Sequence, residues 1–257
     1  MASHRAARDD HDAERLQALG PSGLAWQWLR RDPDYRALGV GRAMMSADGM
    51  VVLAPLSCAE QIRWGCMAFE HPDRDDAPVL WRAGVDPAVL EVEAVPPRAG
   101  DIHLFDLRRW ASGARLVQGE GCEHLLMGAG ASAIRIDVVV GTVREGPVAL
   151  VHRIGWPPDA ERQLMTLRRL VRFCRTGQLV PHRPSMARAH RRALAALDVH
   201  DAWAAGASIR DVGIMLFGHE RIQAEWNAPG ESLKSSCRRW IRLARELAAG
   251  GYKGLLR

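Results

Sequence analysis

Ser208-Ile-Arg-Asp-Val-Gly-Ile-Met-Leu-Phe-Gly218, followed after a break by Leu233-Lys-Ser-Ser-Cys-Arg-Arg-Trp-Ile-Arg-Leu-Ala-Arg-Glu-Leu-Ala248, carries the strongest structural signal in this chain. Ser208 and Asp211 stand three residues apart, an acidic variant of the capping box, in which each side chain satisfies a free N–H at a helix start. Ile209, Val212 and Leu216 recur at helical spacing and predict one buried face. Gly213 sits mid-helix at a cost of up to about 1 kcal/mol relative to Ala, which points to the close approach of a second helix. Gly218 ends the segment. In the second segment, Cys237, Trp240, Ala244 and Leu247 fall within about 40° of Leu233 at about 100° per residue. Ser235, Arg238, Arg242 and Arg245 fall on the opposite side, with Lys234 and Arg239 at its edges. The pattern is that of an amphipathic helix with a core stripe and a basic stripe. Arginine pairs bidentately with guanine, and lysine and serine hold phosphate oxygens, so the stripe suits duplex DNA. A surface helix with solvated arginines has the same pattern, and the capped Ser208 helix beside it tips the balance toward DNA.

Helix-turn-helix units join their helices by about 3–4 residues. Here His219 to Gly230 intervene. Either the motif is elongated, or His219–Trp226 is itself its second helix with Asn227-Ala-Pro-Gly230 as a turn. Periodicity leaves both open.

Upstream, Asp159 is placed to cap a helix running to about Thr176, with Gly177 as its stop. Leu164, Leu167, Leu170, Val171 and Cys174 share one side of it, and Arg168, Arg172 and Arg175 line the flank. A second helix covers Ala187 to Ala205. Before them, residues 101–156 predict an antiparallel meander: Ile102–Leu107, Arg115–Gln118, Glu123–Met127, Ile134–Val140 and Val148–Ile154, most of them separated by glycine-rich breaks. Pro157-Pro158 ends it. The alternation in Ile134-Arg-Ile-Asp-Val138 predicts one buried and one wet face. In the first hundred residues, 1–20 read as a flexible leader. A short helix ends near Asp32, before Pro33. Val51–Leu56 reads as a strand, Ala59–Phe69 as a helical turn or two, and Val79–Trp81 as a short strand. The proline-rich stretch 86–100 marks a boundary. The predicted class is α+β: a leader (1–20), a small N-terminal α/β domain (21–100), and a part (101–257) in which the meander is followed by a helical, helix-turn-helix-like domain.

At 257 residues and 47% hydrophobic content, the chain can bury a core without disulfides. Its five cysteines are odd in number, widely spread and form no Cys-x-x-Cys pair. That pattern fits the reduced thiols of a cytoplasm better than a disulfide framework or a zinc site. The N-terminus lacks an apolar signal core, and no run of about 18 apolar residues is available to span a membrane. The net charge of +5 is unevenly spread. Residues 159–257 hold 18 Lys+Arg against 9 Asp+Glu, and the remainder 17 against 21. A basic part beside an acidic one suits a polyanion contact at one end.

Gly128-Ala-Gly-Ala-Ser-Ala133 imitates a dinucleotide-binding loop, but a strand follows it rather than a helix, so a hairpin turn is expected. His219-Glu220 begins like a zinc-protease helix, yet Gln223 stands where the second ligand belongs. No Gly-x-Ser-x-Gly elbow or phosphate-binding Gly-Lys-Ser/Thr loop occurs. The chain is therefore expected to have no catalytic residues, no metal and no cofactor. Of the nine tryptophans, Trp110, Trp156 and Trp203 are expected in the core. Trp26 and Trp28 are candidates for an exposed partner surface.

Several strings resemble a known family. Ala205-Gly-Ala-Ser-Ile-Arg-Asp-Val212, Leu216-Phe-Gly218, Trp226, Arg238-Arg239, Gly250-Gly-Tyr252 and Leu255-Leu256, with Leu167-Arg-Arg-Leu170 and Arg175-Thr-Gly177 upstream, are similar to the C-terminal domain of proteobacterial transcriptional regulators often carried by integrative and conjugative elements. Trp26-Gln-Trp-Leu-Arg-Arg-Asp-Pro33 with Tyr35, and Trp64-Gly65 through Phe69-Glu-His-Pro-Asp73, resemble the small N-terminal domain that precedes it. The matches touch most of residues 24–257. The resemblance implies a two-part activator. Its C-terminal domain binds promoter DNA and switches on genes for element excision and transfer, with an antiactivator protein and RNA polymerase as further partners. A long segment between the two motif helices belongs to the same resemblance. Gly213 departs from the commoner Ala, and Cys237 and Trp240 fall in the predicted recognition helix. The expected function is sequence-specific regulation through double-stranded DNA, with Lys234, Ser235, Arg238, Arg239, Arg242 and Arg245 as contact residues. The alternative is a protein-interaction module that sequesters another regulator without touching DNA. Exposure of Arg238, Arg242 and Arg245 favours the first, and their burial against the meander favours the second.

Overall fold

The computed structural model describes residues 14, 19–39, 43–101, 103–155, 160–181, 188–226 and 233–257. Most of the predicted leader lies outside these residues, as do Pro157-Pro158, the Asp159 cap, Trp156 and the Asn227–Gly230 turn. Residues 19–29 form a helix, α1, so helical structure begins inside the segment expected to be leader. Asp32 does more than close it. Its carboxylate accepts the N–H groups of Asp34 and Tyr35 and, with Pro33 in the first turn, opens a second helix, α2 (Pro33–Arg36). Strands β1 (Ala43–Met45) and β2 (Val51–Leu53) follow, then α3 (Cys58–Trp64), which starts in a Ser57/Glu60 capping box. The predicted strand at 79–81 is reduced to a single bridge between Trp81 and Cys66.

The sheet departs from the predicted meander in both membership and direction. It has seven strands in the order β1-β2-β4-β5-β6-β3-β7, adding β3 (Leu90–Val95), β4 (Ala114–Gln118), β5 (Glu123–Met127), β6 (Ile134–Val140) and β7 (Ala149–Arg153). The antiparallel run β4-β5-β6 is as expected, including the tight turn at Gly128–Ala133. The other neighbours were not: β2 lies parallel to β4, and β3 inserts between β6 and β7, parallel to the first and antiparallel to the second. Ile102 lies outside the described residues, Phe105 makes only a bridge to Val148, and Leu107–Gly113 form a 3₁₀ turn under an Asp106 cap.

Strand β6 has no wet face until its end. Ile134, Ile136 and Val138 sit in the core of the sheet, and Arg135 and Asp137 are buried as well, at 5% and 7% exposure. The alternation is real, but segment 66–81 packs over the second face and brings the Trp81 carbonyl to Arg135, while the charged partners come from the sheet itself. Arg135 reaches the carbonyls of Trp81 and Ile136 at 3.0 and 2.7 Å, and its guanidinium stands 2.6 Å from Asp137. His124 closes on the same carboxylate at 2.6 Å. Burial pushes Asp137 up, but Arg135 and His124 outweigh it and hold the carboxyl below its ordinary range.

Helix α4 (Ala160–Thr176) lies against the sheet. Its buried residues are Thr166, Leu170 and Phe173, with Leu167 partly buried beside them. The predicted stripe is rotated: Leu164 and Val171 are about half exposed and Cys174 is exposed, because the sheet meets α4 along the 166–170–173 ridge. All five cysteines are free thiols.

Each of the three hydrophobic clusters draws residues from both sides of the expected boundary near residue 100. Strands from both sides of it build one sheet. The largest cluster joins α1, α2 and residues 64–81 to the C-terminal helices, through Trp26, Trp28, Tyr35, Trp81, Leu197, Val212, Cys237 and Tyr252. The Tyr252 hydroxyl donates to the Trp64 carbonyl at 2.9 Å, so the Gly250-Gly-Tyr252 string docks the C-terminal turn on the N-terminal part. Trp26 and Trp28 are each 1% exposed, which corrects their assignment to a partner surface. Two indoles on one helix bury too much apolar area to stay in water when a helical bundle is there to receive them. Trp26 Nε1 donates to the Arg74 carbonyl at 2.8 Å, and Trp28 meets His200 edge to face.

Candidate nucleic-acid interface

Four helices make up the basic end: α5 (Arg188–Ala204), α6 (Ile209–Phe217), α7 (His219–Glu225) and α8 (Leu233–Ala248). The Ser208 box forms as the residues dictate. Asp211 N–H donates to Ser208 Oγ at 3.2 Å, and Ser208 N–H donates to Asp211 Oδ2 at 2.9 Å. Hydrogen bonds from the Ser208 hydroxyl and backbone hold the Asp211 carboxyl below its ordinary range. Gly218, at φ +86°, both ends α6 and begins α7, so these helices are joined through one residue. His219–Glu225 is thus a separate helix, and α8 is a further one.

The need for glycine at 213 has a direct cause. A β-carbon there would stand 2.8 Å from Ile222 Cδ1, 3.2 Å from Cys237 Sγ and 3.2 Å from Trp226 Cζ3. Both α7 and α8 therefore press on α6 at this point. Leu233, Cys237, Ile241, Ala244 and Leu247 seat α8 in the core shared with α5 and α6. Ile241 takes a place in the stripe, while Trp240 is half-buried with the Arg192 guanidinium 5.8 Å from its ring.

The opposite face of α8 is open. Arg238, Arg239, Arg242 and Arg245 are all exposed, and none packs against the sheet. Arg239 donates to Ser236 Oγ at 3.0 Å, and Arg242 stands 3.9 Å from Glu246 in a loose, exposed pair. The Arg245 guanidinium lies 5.3 Å from the Trp203 ring. Lys234 and Ser235 are half-buried, Lys234 with its ammonium 5.4 Å from the Trp226 ring. The helix carries five basic residues and one acid, Glu246. Arg192 on α5 and Arg210 on α6 are exposed as well, whereas Arg221 on α7 is paired with Glu225 at 3.1 Å. Sequence inspection did not single out the pairings of Trp203 with Arg245 and Trp226 with Lys234. They join separate helices, and no spacing within one helix reports them.

Two family models match the chain. Residues 153–257 match a T6SS transcription factor DNA-binding domain, and residues 6–65 match a proteobacterial transcriptional regulator-like domain. The first match holds α4 to α8 and the C-terminal turn. The second ends at Gly65, so most of the sheet lies outside both. No curated protein matches the chain. The geometry of the basic helices and the two matches together support a two-part, DNA-binding transcription regulator.

Proposed function

We propose that this protein is a sequence-specific activator that lays α8 in the major groove of promoter DNA. The carrying observation is the division of α8 into a sealed apolar face and an open face bearing Arg238, Arg239, Arg242 and Arg245. Residues early in a recognition helix reach base edges, so Lys234, Ser235 and Arg238 read the sequence. Arg242 and Arg245, one or more turns later, meet phosphates. In this reading α6 and α7 support α8 as the elongated form of a helix-turn-helix. RNA polymerase and an antiactivator protein are the protein partners, the setting is the cytoplasm, and no catalysis or cofactor is involved. Among the described residues no helix is long and apolar enough to cross a membrane. A sequestering module that avoids DNA is less well supported, since Arg238, Arg242 and Arg245 are exposed rather than buried against the sheet.

The matched DNA-binding domain is described for a T6SS transcription factor, and the resemblance in the sequence points to excision and transfer genes. We assign the targets to the second set. Sequencing the DNA fragments that the full chain captures tests this: enrichment of a shared motif upstream of mobile-element genes is expected. Capture without a shared motif overturns sequence-specific binding. Transcription in vitro from an enriched promoter, with and without the protein, tests activation against repression.

A further inference from the structure

A cavity of about 560 Å³ lies where the sheet, α1, α4 and the C-terminal turn meet. Its size falls within the roughly 300–1,000 Å³ that small organic ligands occupy, and seams between cores are common places for such sites. Leu19, Val79, Leu126, Met165 and Leu256 give it an apolar wall. Arg162 and Arg169, two turns apart on one face of α4, also line it.

Arg162 stands exposed at the rim, and Arg169, half-buried, is satisfied as a donor but not as a charge. Arg162 Nη1 donates to the Leu256 carbonyl at 3.0 Å, and Arg169 Nη2 donates to the Ala133 carbonyl at 2.9 Å. The longer bonds of Arg169, to Ala131 and Val180, also end on carbonyls. A carbonyl takes a hydrogen bond without supplying a negative charge, so the desolvation of the guanidinium is only partly offset. Burial accordingly pushes Arg169 below its ordinary range. Asp86, also in the lining, accepts the Ala88 N–H at 3.0 Å and lies within the field of Arg135 and Arg162. The hydrogen bonds of Arg169 all end on carbonyls, and burial is the one influence on its charge.

We propose that this cavity binds a small organic acid, its apolar body against Leu126, Met165 and Leu256 and its carboxylate supplying the counter-charge that Arg169 lacks, with Arg162 adding positive charge at the rim. The ligand would bridge the sheet core and the helical core, which positions it to tune the regulator. The site does not rest on the DNA reading, and its test uses no DNA.

The test titrates the full chain with octanoate, 1-octanol and inorganic phosphate, following heat release and thermal midpoint. Octanoate is expected to bind saturably and raise the midpoint. The neutral alcohol and the bare anion each bind at least about tenfold more weakly. Arg162→Gln, at an exposed position that leaves the fold intact, weakens octanoate about tenfold. Met165→Trp adds bulk to the apolar wall, keeps both arginines and weakens binding. Failure of octanoate to saturate, equal binding of octanol or phosphate, or unchanged binding in either variant overturns the proposal.

Discussion

Arg31, just after α1, grips Asp201 of α5 with two hydrogen bonds, Nε to Oδ1 at 2.7 Å and Nη2 to Oδ2 at 2.8 Å. The two residues are 170 positions apart, and the pair fastens the N-terminal helix to the basic end of the molecule. Burial pushes the Asp201 carboxyl up, but hydrogen bonds from His200 and Arg31 and their charges outweigh it and hold the group well below its ordinary range.

A pH dependence follows. A carboxylate depressed in the folded state adds stability that is fully present above its unfolded pKa of about 3.9 and is lost as pH falls through the folded value. Asp201→Asn should therefore be less stable than the parent at neutral pH. The difference should shrink below about pH 4, with an amplitude limited by the partial exposure of the pair. Chemical denaturation of both proteins from pH 7 to pH 2 checks this, and a constant difference across that range sinks it.

Residues 101–257 alone should not form a stable protein. Their removal from the first hundred residues takes β1, β2 and β3 out of the sheet and exposes the face that Trp26, Trp28 and Tyr35 cover. Circular dichroism and gel filtration of that fragment should show lost cooperativity or aggregation. A monomeric fragment with a sharp thermal transition and intact DNA binding shows instead that the N-terminal part is dispensable to the fold.

Gly213 sits where α6, α7 and α8 converge. Gly213→Val should cost about 1–3 kcal/mol by overpacking against Ile222, Cys237 and Trp226. In Gly213→Ala the same contacts oppose a helix-propensity gain of up to about 1 kcal/mol, so its net change is smaller. Denaturant midpoints rank the three proteins. A valine variant as stable as the parent means that the helices part more easily than their spacing indicates.

The open face of α8 predicts distinct salt behaviour for its arginines. Each phosphate neutralised contributes about 0.9 to the fall of log affinity with log salt. Arg242→Ala should weaken all DNA sequences alike and flatten that slope by about one unit. Arg238→Ala should cost about 1–3 kcal/mol at the preferred site and relax specificity there. Trp203→Ala keeps the charge of Arg245 and removes the ring beneath it, so it should lower affinity with little change in slope. DNA titrations at several salt concentrations, on variants confirmed as folded, separate these outcomes. If neither Arg238→Ala nor Arg242→Ala has any effect, α7 becomes the element to test.

Local pattern was enough for what depends on near neighbours. The Ser208 box, the stops at Gly177 and Gly218, strands β4 to β6 and the sidedness of α8 each follow from residues within a few positions of one another, because caps, turns and amphipathic faces are made of such contacts. The basic residues of the candidate interface were legible for the same reason: they share one face of one helix. The partners of distant segments were not. Nothing between Leu90 and Val95 announces that β3 will enter between β6 and β7. Parallel pairing joins segments far apart in the chain and has no turn signal of its own. The polar alternates of β6 indicated a wet face, and only the chain crossing at 66–81 buried Arg135 and Asp137. Tryptophan content at 26 and 28 was equally consistent with a surface or a core, and the arrival of α5 and α8 decided for the core. The sequence alone therefore specified α4, α5, α6 and α8 and which face of α8 is charged, while α2 and the status of α7 were left to the structure. Tertiary structure decided which surfaces remain in water, since burial is set by what packs on top of a residue, and that is a property of the whole chain.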